Sequence, residues 1–411
     1  MKKLIALLLA VVLVLGMTAC AAKPAEETTQ PEQAPATETA ETTEPTEEAS
    51  SGAVLTNFDD ASLFEYVVAK GEKCDLNDYY NDLGVECDMA IRANGGSVKW
   101  LGGGNVPLPT PSKKYTIGFS VYYTVDEVGA MYLEAMKDAA AEIGIELLIN
   151  DADYDQNLQN QAMEQWILQK VDAVIMTPCD FYACKDGLDA LHEAGIPVIT
   201  LDAPPCAGEV DACVVYDGVE QGRQAGEALE QYLLDNGTEM KGSIYYGTLP
   251  FIHPNAVTRE LGFKGVFEKY PDIEIKALTG EGPEDHYTAF EGILSADDSI
   301  LGLWGLYSSA TYGIMNVVKA SGKTYPITSV DNDRVILEGI YNGEVLGSSC
   351  YSAIEGSRLA MMLAVNMLEG QEIPGLVYQT NTMVTKDNVE EMFPIYYGAG
   401  RTLADYMAGN D

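Results

Sequence analysis

The feature that most narrows what this chain can fold into is a rhythm. From Tyr115 onward, short β-branched apolar runs alternate with amphipathic stretches, and most runs start about 25 to 31 residues apart. They begin near Thr116 (TIGFSVYY), Ile145 (IELLIN), Val171 (VDAVIMTP) and Pro197 (PVITLD). After Val214 and Val215 the pattern restarts at Gly242 (GSIYYG), Ile273 (IEIKAL), Ile300 (ILGLWGLY), Pro326 (PITSVD) and Val345 (VLGSSCY). Parallel strands need a long crossover, usually a helix, and this spacing leaves room for one each time. The stretch after the first run sets Leu133, Met136, Ala140 and Ile143 on one helical face and ends at Gly144, a natural C-terminal stop. The rhythm predicts an α/β chain with two parallel sheets. Two such halves could share one continuous sheet or form two doubly wound lobes facing each other across a cleft. The restart at Tyr216-Asp217-Gly218, with a helix expected from Val219 to Leu234 behind it, favours two lobes.

In doubly wound sheets a ligand binds beyond the carboxyl ends of the strands, where loops converge and helix N-termini point at it. In this sequence those ends carry Tyr122 and Tyr123, Asn150 and Asp151, Thr177 to Asp180, and Asp202; the second half adds Tyr307, Asp331 and Tyr351. Tyrosines and carboxylates recur there, whereas nucleophile elbows and glycine-rich phosphate loops do not. Aromatic faces beside ionised hydrogen-bonding groups suit a small polyhydroxylated molecule, whose C–H face stacks and whose hydroxyls bridge. A charge-assisted hydrogen bond contributes about 1.5 to 3 kcal/mol, so a few of them set the orientation. Singly, each tyrosine reads equally well as a half-buried strand-end aromatic. The recurrence carries the expectation.

Lys2 and Lys3 precede an unbroken apolar run from Leu4 to Leu15, followed by Gly16-Met17-Thr18-Ala19-Cys20. A charged start, a short apolar core and small residues before a cleavage point describe an export signal, residues 1–19. The run is shorter than the roughly 20 residues that a bilayer span needs. Met-Thr-Ala-Cys resembles a bacterial lipobox, which implies diacylation of Cys20 and a membrane contact made through lipid. Residues 20–53 follow as an acidic linker, with eight glutamates against Lys23 between positions 21 and 52; such a stretch buries too little apolar surface to fold, and its like charges extend it. Residues 54–112 lack the rhythm, are rich in Asp, Asn and Tyr, and close on Gly102-Gly103-Gly104 and the stretch from Pro107 to Pro111. They read as a small helical or irregular appendage ending in a linker.

Composition and motifs exclude several functions. With 63 acidic against 24 basic residues the formal charge is −39, which excludes a phosphate-neutralising nucleic-acid binder. The three histidines, His192, His253 and His286, cannot build a histidine-rich metal site, and the eight cysteines form no CxxC pair; no cofactor or metal is expected. Cys206 with Cys213, and Cys74 with Cys87, are candidates for local disulfides outside the cell. His253-Pro254-Asn255 stands at the mouth of a second-half helix, where a helix cap is the simpler use. Asp202 and Asp331 form the kind of carboxylate pair that hydrolyses glycosides. With no evident acid of raised pKa, they are expected to bind hydroxyls, and no catalytic residue is assigned.

From about Tyr115 to Glu391 the chain resembles the type I periplasmic sugar-binding proteins of the ribose-binding kind. The resemblance rests on IPVITLD (Ile196 to Asp202), RELGF (Arg259 to Phe263) and ITSVDND (Ile327 to Asp333). It implies sugar-hydroxyl binding by Asp202, Arg259 and Asp331. It also implies three crossings between lobes, near Tyr216-Asp217, Tyr351-Ser352 and Gln379 to Thr382. The lobes would then be 113–217 plus 352–380 and 218–351 plus 381–411, joined by a three-strand hinge, with the helix from Ile354 to Leu368 returning to the first. The sequence departs from the ribose binders at the residues after Asp202, where Ala203 and Pro204 replace a second arginine. It departs again at Tyr307 and Tyr351, where those proteins carry asparagine and glutamine, and after the first strand, where Tyr132 replaces one of a pair of phenylalanines. The expected ligand set is Tyr122, Tyr123, Tyr132, Asp202, Arg259, Tyr307, Asp331 and Tyr351, for a sugar or related polyol other than ribose. The expected function is a monomeric, lipid-anchored extracytoplasmic binding protein that delivers its ligand to the permease of an ABC importer. The alternatives are a receptor domain of a signalling system, including one for furanose-like signals, and an extracellular carbohydrate-active enzyme.

Overall fold

The structure, a computed structural model, describes residues 52–410. The signal peptide, Cys20 and nearly all of the acidic linker lie outside the described residues. Residues 54–112 correct the expected appendage. They contain β1 (Phe64–Val68), α1 (Asn77–Asp82), β2 (Asp88–Ile91) and β3 (Ser97–Trp100), and β1 and β3 pair antiparallel as the edge of an eight-stranded sheet. Phe64, Val98 and Trp100 point from these strands into the main core. Both strands are short and carry charged residues, Glu65 and Lys99, on the outer face, so their apolar periodicity is too brief to register in sequence.

The first sheet continues through β4 (Thr116–Val121), β5 (Glu146–Asp151), β6 (Ala173–Met176) and β7 (Val198–Asp202), linked by α2 (Glu127–Ile143), α3 (Gln156–Gln169) and α4 (Lys185–Glu193). After β8 (Ala207–Val210), which pairs with β2 in a small separate sheet, β9 (Ala212–Tyr216) rejoins the large one. The central strands β6 and β9 are buried along their whole length, as parallel strands covered by helices on both faces must be. Successive residues alternate between two cores: Ala173 and Ile175 enter one, Val174 and Met176 the other.

The second sheet is built from α5 (Gly218–Asp235), β10 (Gly242–Thr248), α6 (Pro254–Phe267), β11 (Ile273–Thr279), α7 (Pro283–Ala296), β12 (Ile300–Gly305), α8 (Ser308–Ser321), β13 (Ile327–Val330), α9 (Arg334–Asn342) and β14 (Gly347–Cys350). Then α10 (Ala353–Leu368) packs back on α2, and β15 (Leu376–Gln379) pairs with β9 and β3 in the first sheet. Finally β16 (Thr382–Thr385) pairs antiparallel with β14, followed by α11 (Val389–Tyr397) and α12 (Leu403–Met407). The second sheet runs β11-β10-β12-β13-β14-β16. The chain therefore passes between the sheets three times, after β9, after β14 and after β15.

The seven cysteines of the described residues are free thiols. The local pairings Cys206–Cys213 and Cys74–Cys87 are corrected: the Cys206 thiol lies against Cys87, where β2 and β8 run side by side with Asp88 opposite Ala207.

Candidate functional site

Two aspartates mark the carboxyl ends of matching strands. Asp202 closes β7 and Asp331 follows β13, the fourth strand of each helix-linked series. Both hold a left-handed backbone, φ 82° and 78°. Such a conformation costs a non-glycine residue on the order of 1 to 3 kcal/mol, and it turns both side chains off the sheet at the same end. Between them opens a cavity of about 770 Å³.

In the second lobe the site is assembled around Arg259, on the second turn of α6. Its Nε donates to Gln221 Oε1 at 2.9 Å, one terminal nitrogen to the Leu306 carbonyl at 3.0 Å and the other to Asp331 Oδ1 at 3.0 Å. The guanidinium also lies 5.0 Å over the Tyr216 ring. Burial disfavours its charge, but Tyr216 and Asp331 beside it hold the guanidinium protonated. The other Asp331 oxygen accepts from the Ser308 backbone N–H at 3.0 Å, at the N-terminus of α8, where the helix dipole favours an anion. Ser308 Oγ continues to Asp333 at 2.6 Å, and Tyr312 donates to the second Asp333 oxygen at 2.6 Å.

Sequence explains how α6 comes so close. Gly218, Gly222 and Gly226 lie at i, i+4 and i+8 on one stripe of α5. A Cβ on Gly222 would meet the Arg259 carbonyl at 1.8 Å, and one on Gly262 of α6 would meet the Val219 carbonyl at 1.9 Å. Backbone-to-backbone packing of the two helices fixes the stem of Arg259. His253 caps α6, its Nδ1 accepting from the Asn255 N–H at 3.1 Å, and its ring also lines the cavity. Burial lowers its pKa to about 3, so it is neutral.

The first lobe presents a barer surface. Asp202 accepts from the Tyr132 hydroxyl at 3.1 Å. Burial pushes its pKa up to about 7, with Arg259 across the cavity opposing the shift. Asp126 is the N-cap of α2, accepting from the Gly129 N–H at 2.6 Å, and burial lifts it to about 6. Tyr122 and Tyr154 line the wall and stack at 5.3 Å. At the lips the lobes touch. Glu127 of α2 accepts the Arg334 backbone N–H at 3.1 Å and forms an ion pair with the guanidinium, 3.0 Å from its Nε, both at the start of α9, and Phe181 meets the His253 ring edge-on at 4.7 Å.

Of the eight residues expected at the ligand, Tyr122, Asp202, Arg259, Tyr307, Asp331 and Tyr351 line the cavity. Two do not. Tyr132 is fully buried and acts from behind through its bond to Asp202, and Tyr123 packs on Tyr154 at 4.9 Å. Tyr307 lines the wall with its hydroxyl engaged, donating to the Gly280 carbonyl at 2.8 Å and lying 2.8 Å from His286 Nε2. Sequence reasoning missed Asp126, Tyr154, Phe181 and Tyr216. Asp126 had a signal, an Asp before the amphipathic stretch that becomes α2, but it reads as a cap and not as a cavity group. The expectation that no acid here has a raised pKa is also corrected, because desolvation lifts Asp202 and Asp333 to about 7.

Two α/β lobes, three chain crossings and a cavity walled by both lobes define a two-lobed solute-binding fold. The family model described as a periplasmic binding protein domain matches residues 117–372, and the chain belongs to that family. The chain is 23% identical to the ribose import binding protein of Bacillus subtilis, over 64% of this chain and 84% of that one. It is 25% identical to the xylitol-binding protein of Mycolicibacterium smegmatis, over 62% and 73%. Among solved structures, an ABC transporter solute-binding protein of Actinobacillus succinogenes with bound D-allose superposes with a TM-score of 0.63, at 21% identity, covering 67% of this chain and 99% of that one. These relatives are binding proteins by name, and the structural likeness shows the same fold.

Proposed function

We propose that the protein is an extracytoplasmic solute-binding protein that captures a sugar or polyol between its lobes and presents it to an ABC importer. The observation that carries this reading is the cavity itself, where Asp202 and Arg259 face one space from different lobes. A ligand bonded to both favours the closed arrangement by its differential affinity, and the three crossings supply the hinge. The guanidinium has five N–H donors, of which three serve the protein, leaving donors for hydroxyl oxygens. The relatives named for ribose and xylitol support the substrate class. The signal-like start and the lipobox-like Met-Thr-Ala-Cys support export and lipid anchoring at Cys20. No described helix is long and apolar enough to cross a membrane.

Catalysis is a poorer fit. Hydrolysis by the Asp202–Asp331 pair needs Asp331 free as base or nucleophile, and Asp331 has one oxygen on Arg259 and the other on Ser308.

A thermal-shift panel of monosaccharides, glycosides, linear and cyclic polyols and nucleosides tests the reading. Ligand at a hundred times its dissociation constant adds about 2.7 kcal/mol of stability. A panel in which no sugar or polyol raises the melting temperature would refute it.

A further inference from the structure

The charges in the cleft do not balance for a neutral ligand. Asp126, Glu127, Asp202, Glu281, Asp331 and Asp333 line the cavity, and Arg259 is the one Lys or Arg among its described lining residues. Arg259 is bonded to Asp331, Glu127 is paired with Arg334, and Asp333 receives the Ser308 and Tyr312 hydroxyls. Glu281, in the second lobe, is exposed to solvent, which leaves Asp126 and Asp202. Both belong to the first lobe, Asp202 accepting from the Tyr132 hydroxyl and Asp126 from the Gly129 N–H and the Tyr154 hydroxyl; neither has a cation within ion-pair distance, and they are near enough to repel each other. Beside them stands the stacked Tyr122–Tyr154 pair.

A hydroxyl placed there donates one proton and leaves the repulsion in force. An ammonium carries three donors and a charge of opposite sign, and aromatic faces attract it further. Burial lifts the pKa of both carboxylates, and repulsion from neighbouring carboxylates adds to it.

Building on the sugar or polyol reading above, we propose that the ligand is an aminated sugar or aminated cyclic polyol. Its ammonium group lies between Asp126 and Asp202 against Tyr122 and Tyr154, and its hydroxyls reach Arg259 in the other lobe.

The test uses the full chain at pH 7 and low salt, with calorimetric titration of matched triplets: glucosamine or galactosamine, the N-acetylated form and the parent sugar, together with an aminocyclitol against myo-inositol. At least one amine should bind about tenfold or more tighter than both its neutral counterparts. That preference should fall to about twofold or less in Asp126→Asn and in Asp202→Asn, substitutions that keep the helix cap and the hydrogen-bonding shape. Neutral parents that bind as tightly as their amines overturn the amine assignment and leave the sugar-binding reading standing. An amine preference that persists in both variants overturns the role of these two carboxylates. Binding by no member of this panel overturns the amine assignment, while the sugar-binding reading stands or falls with the broader thermal-shift panel.

Discussion

Asp202 and Asp331 end corresponding strands and share the same left-handed turn, yet their surroundings are opposite. Asp331 stands in a completed network of arginine, serine and helix N-terminus, whereas Asp202 has one tyrosine hydroxyl behind it. The second lobe presents a rigid, pre-ordered half-site, and the first presents carboxylates whose partners must come from the ligand. Preorganisation on one side lowers the ordering cost of binding. Unmet bonding capacity on the other supplies the difference in affinity that drives closure.

The largest expected effect lies on the completed side. Arg259→Ala leaves Asp331 and Gln221 without their partner in a site where the arginine is 5% exposed. Removing one member of a buried ion pair costs about 3 to 5 kcal/mol, so urea denaturation should show a loss of that size together with complete loss of ligand binding. On the bare side, Asp202→Asn should weaken binding by about 1.5 to 3 kcal/mol without destabilising the unliganded protein. The pH dependence sharpens the contrast. An aspartate titrates near 3.9 in an unfolded chain and Asp202 near 7 in the fold, so the folded state holds the extra proton between those values. Stability from that group is complete below about pH 4 and is lost as pH rises through 7; the wild type should therefore fall behind Asp202→Asn over this window in paired melts. Equal pH profiles would mean that Asp202 is well solvated and the two half-sites are alike.

Gly222 lies outside the cavity, but in Gly222→Ala the new Cβ would run into the Arg259 backbone carbonyl and force α5 from α6, and such overpacking costs about 1 to 3 kcal/mol. Affinity should fall as well, because Arg259 moves with α6. Unchanged affinity would separate the arginine's placement from the glycine stripe. The smallest effect belongs to the lips. Glu127→Gln weakens a partly exposed pair with Arg334, a contact in the range of about 0 to 1 kcal/mol. Small-angle scattering should show a more open unliganded ensemble, with ligand affinity reduced no more than about fivefold by that energy.

Much of this arrangement was legible in the residues. The recurring strand-plus-helix step revealed two α/β halves because central parallel strands are continuously apolar and their helices are amphipathic. Strand ends revealed Asp202 and Asp331 because charged groups there have few structural uses, whereas Arg259 came from the family resemblance carried by RELGF. The strands at Phe64 and Ser97 stayed hidden, since edge strands of four or five residues have one wet face and too little periodicity. Asp126 and Tyr154 stayed hidden for another reason. They reach the cavity through a helix cap and through a loop with left-handed backbone at Asp153 and Tyr154, and neither leaves a repeating pattern.

A crystal structure of the chain with the tightest ligand from the binding panel tests the central claim most directly. The account predicts density for one molecule between the lobes, hydrogen-bonded at once to the carboxylate of Asp202 and the guanidinium of Arg259. A ligand bound elsewhere, or held by residues of a single lobe, would contradict it.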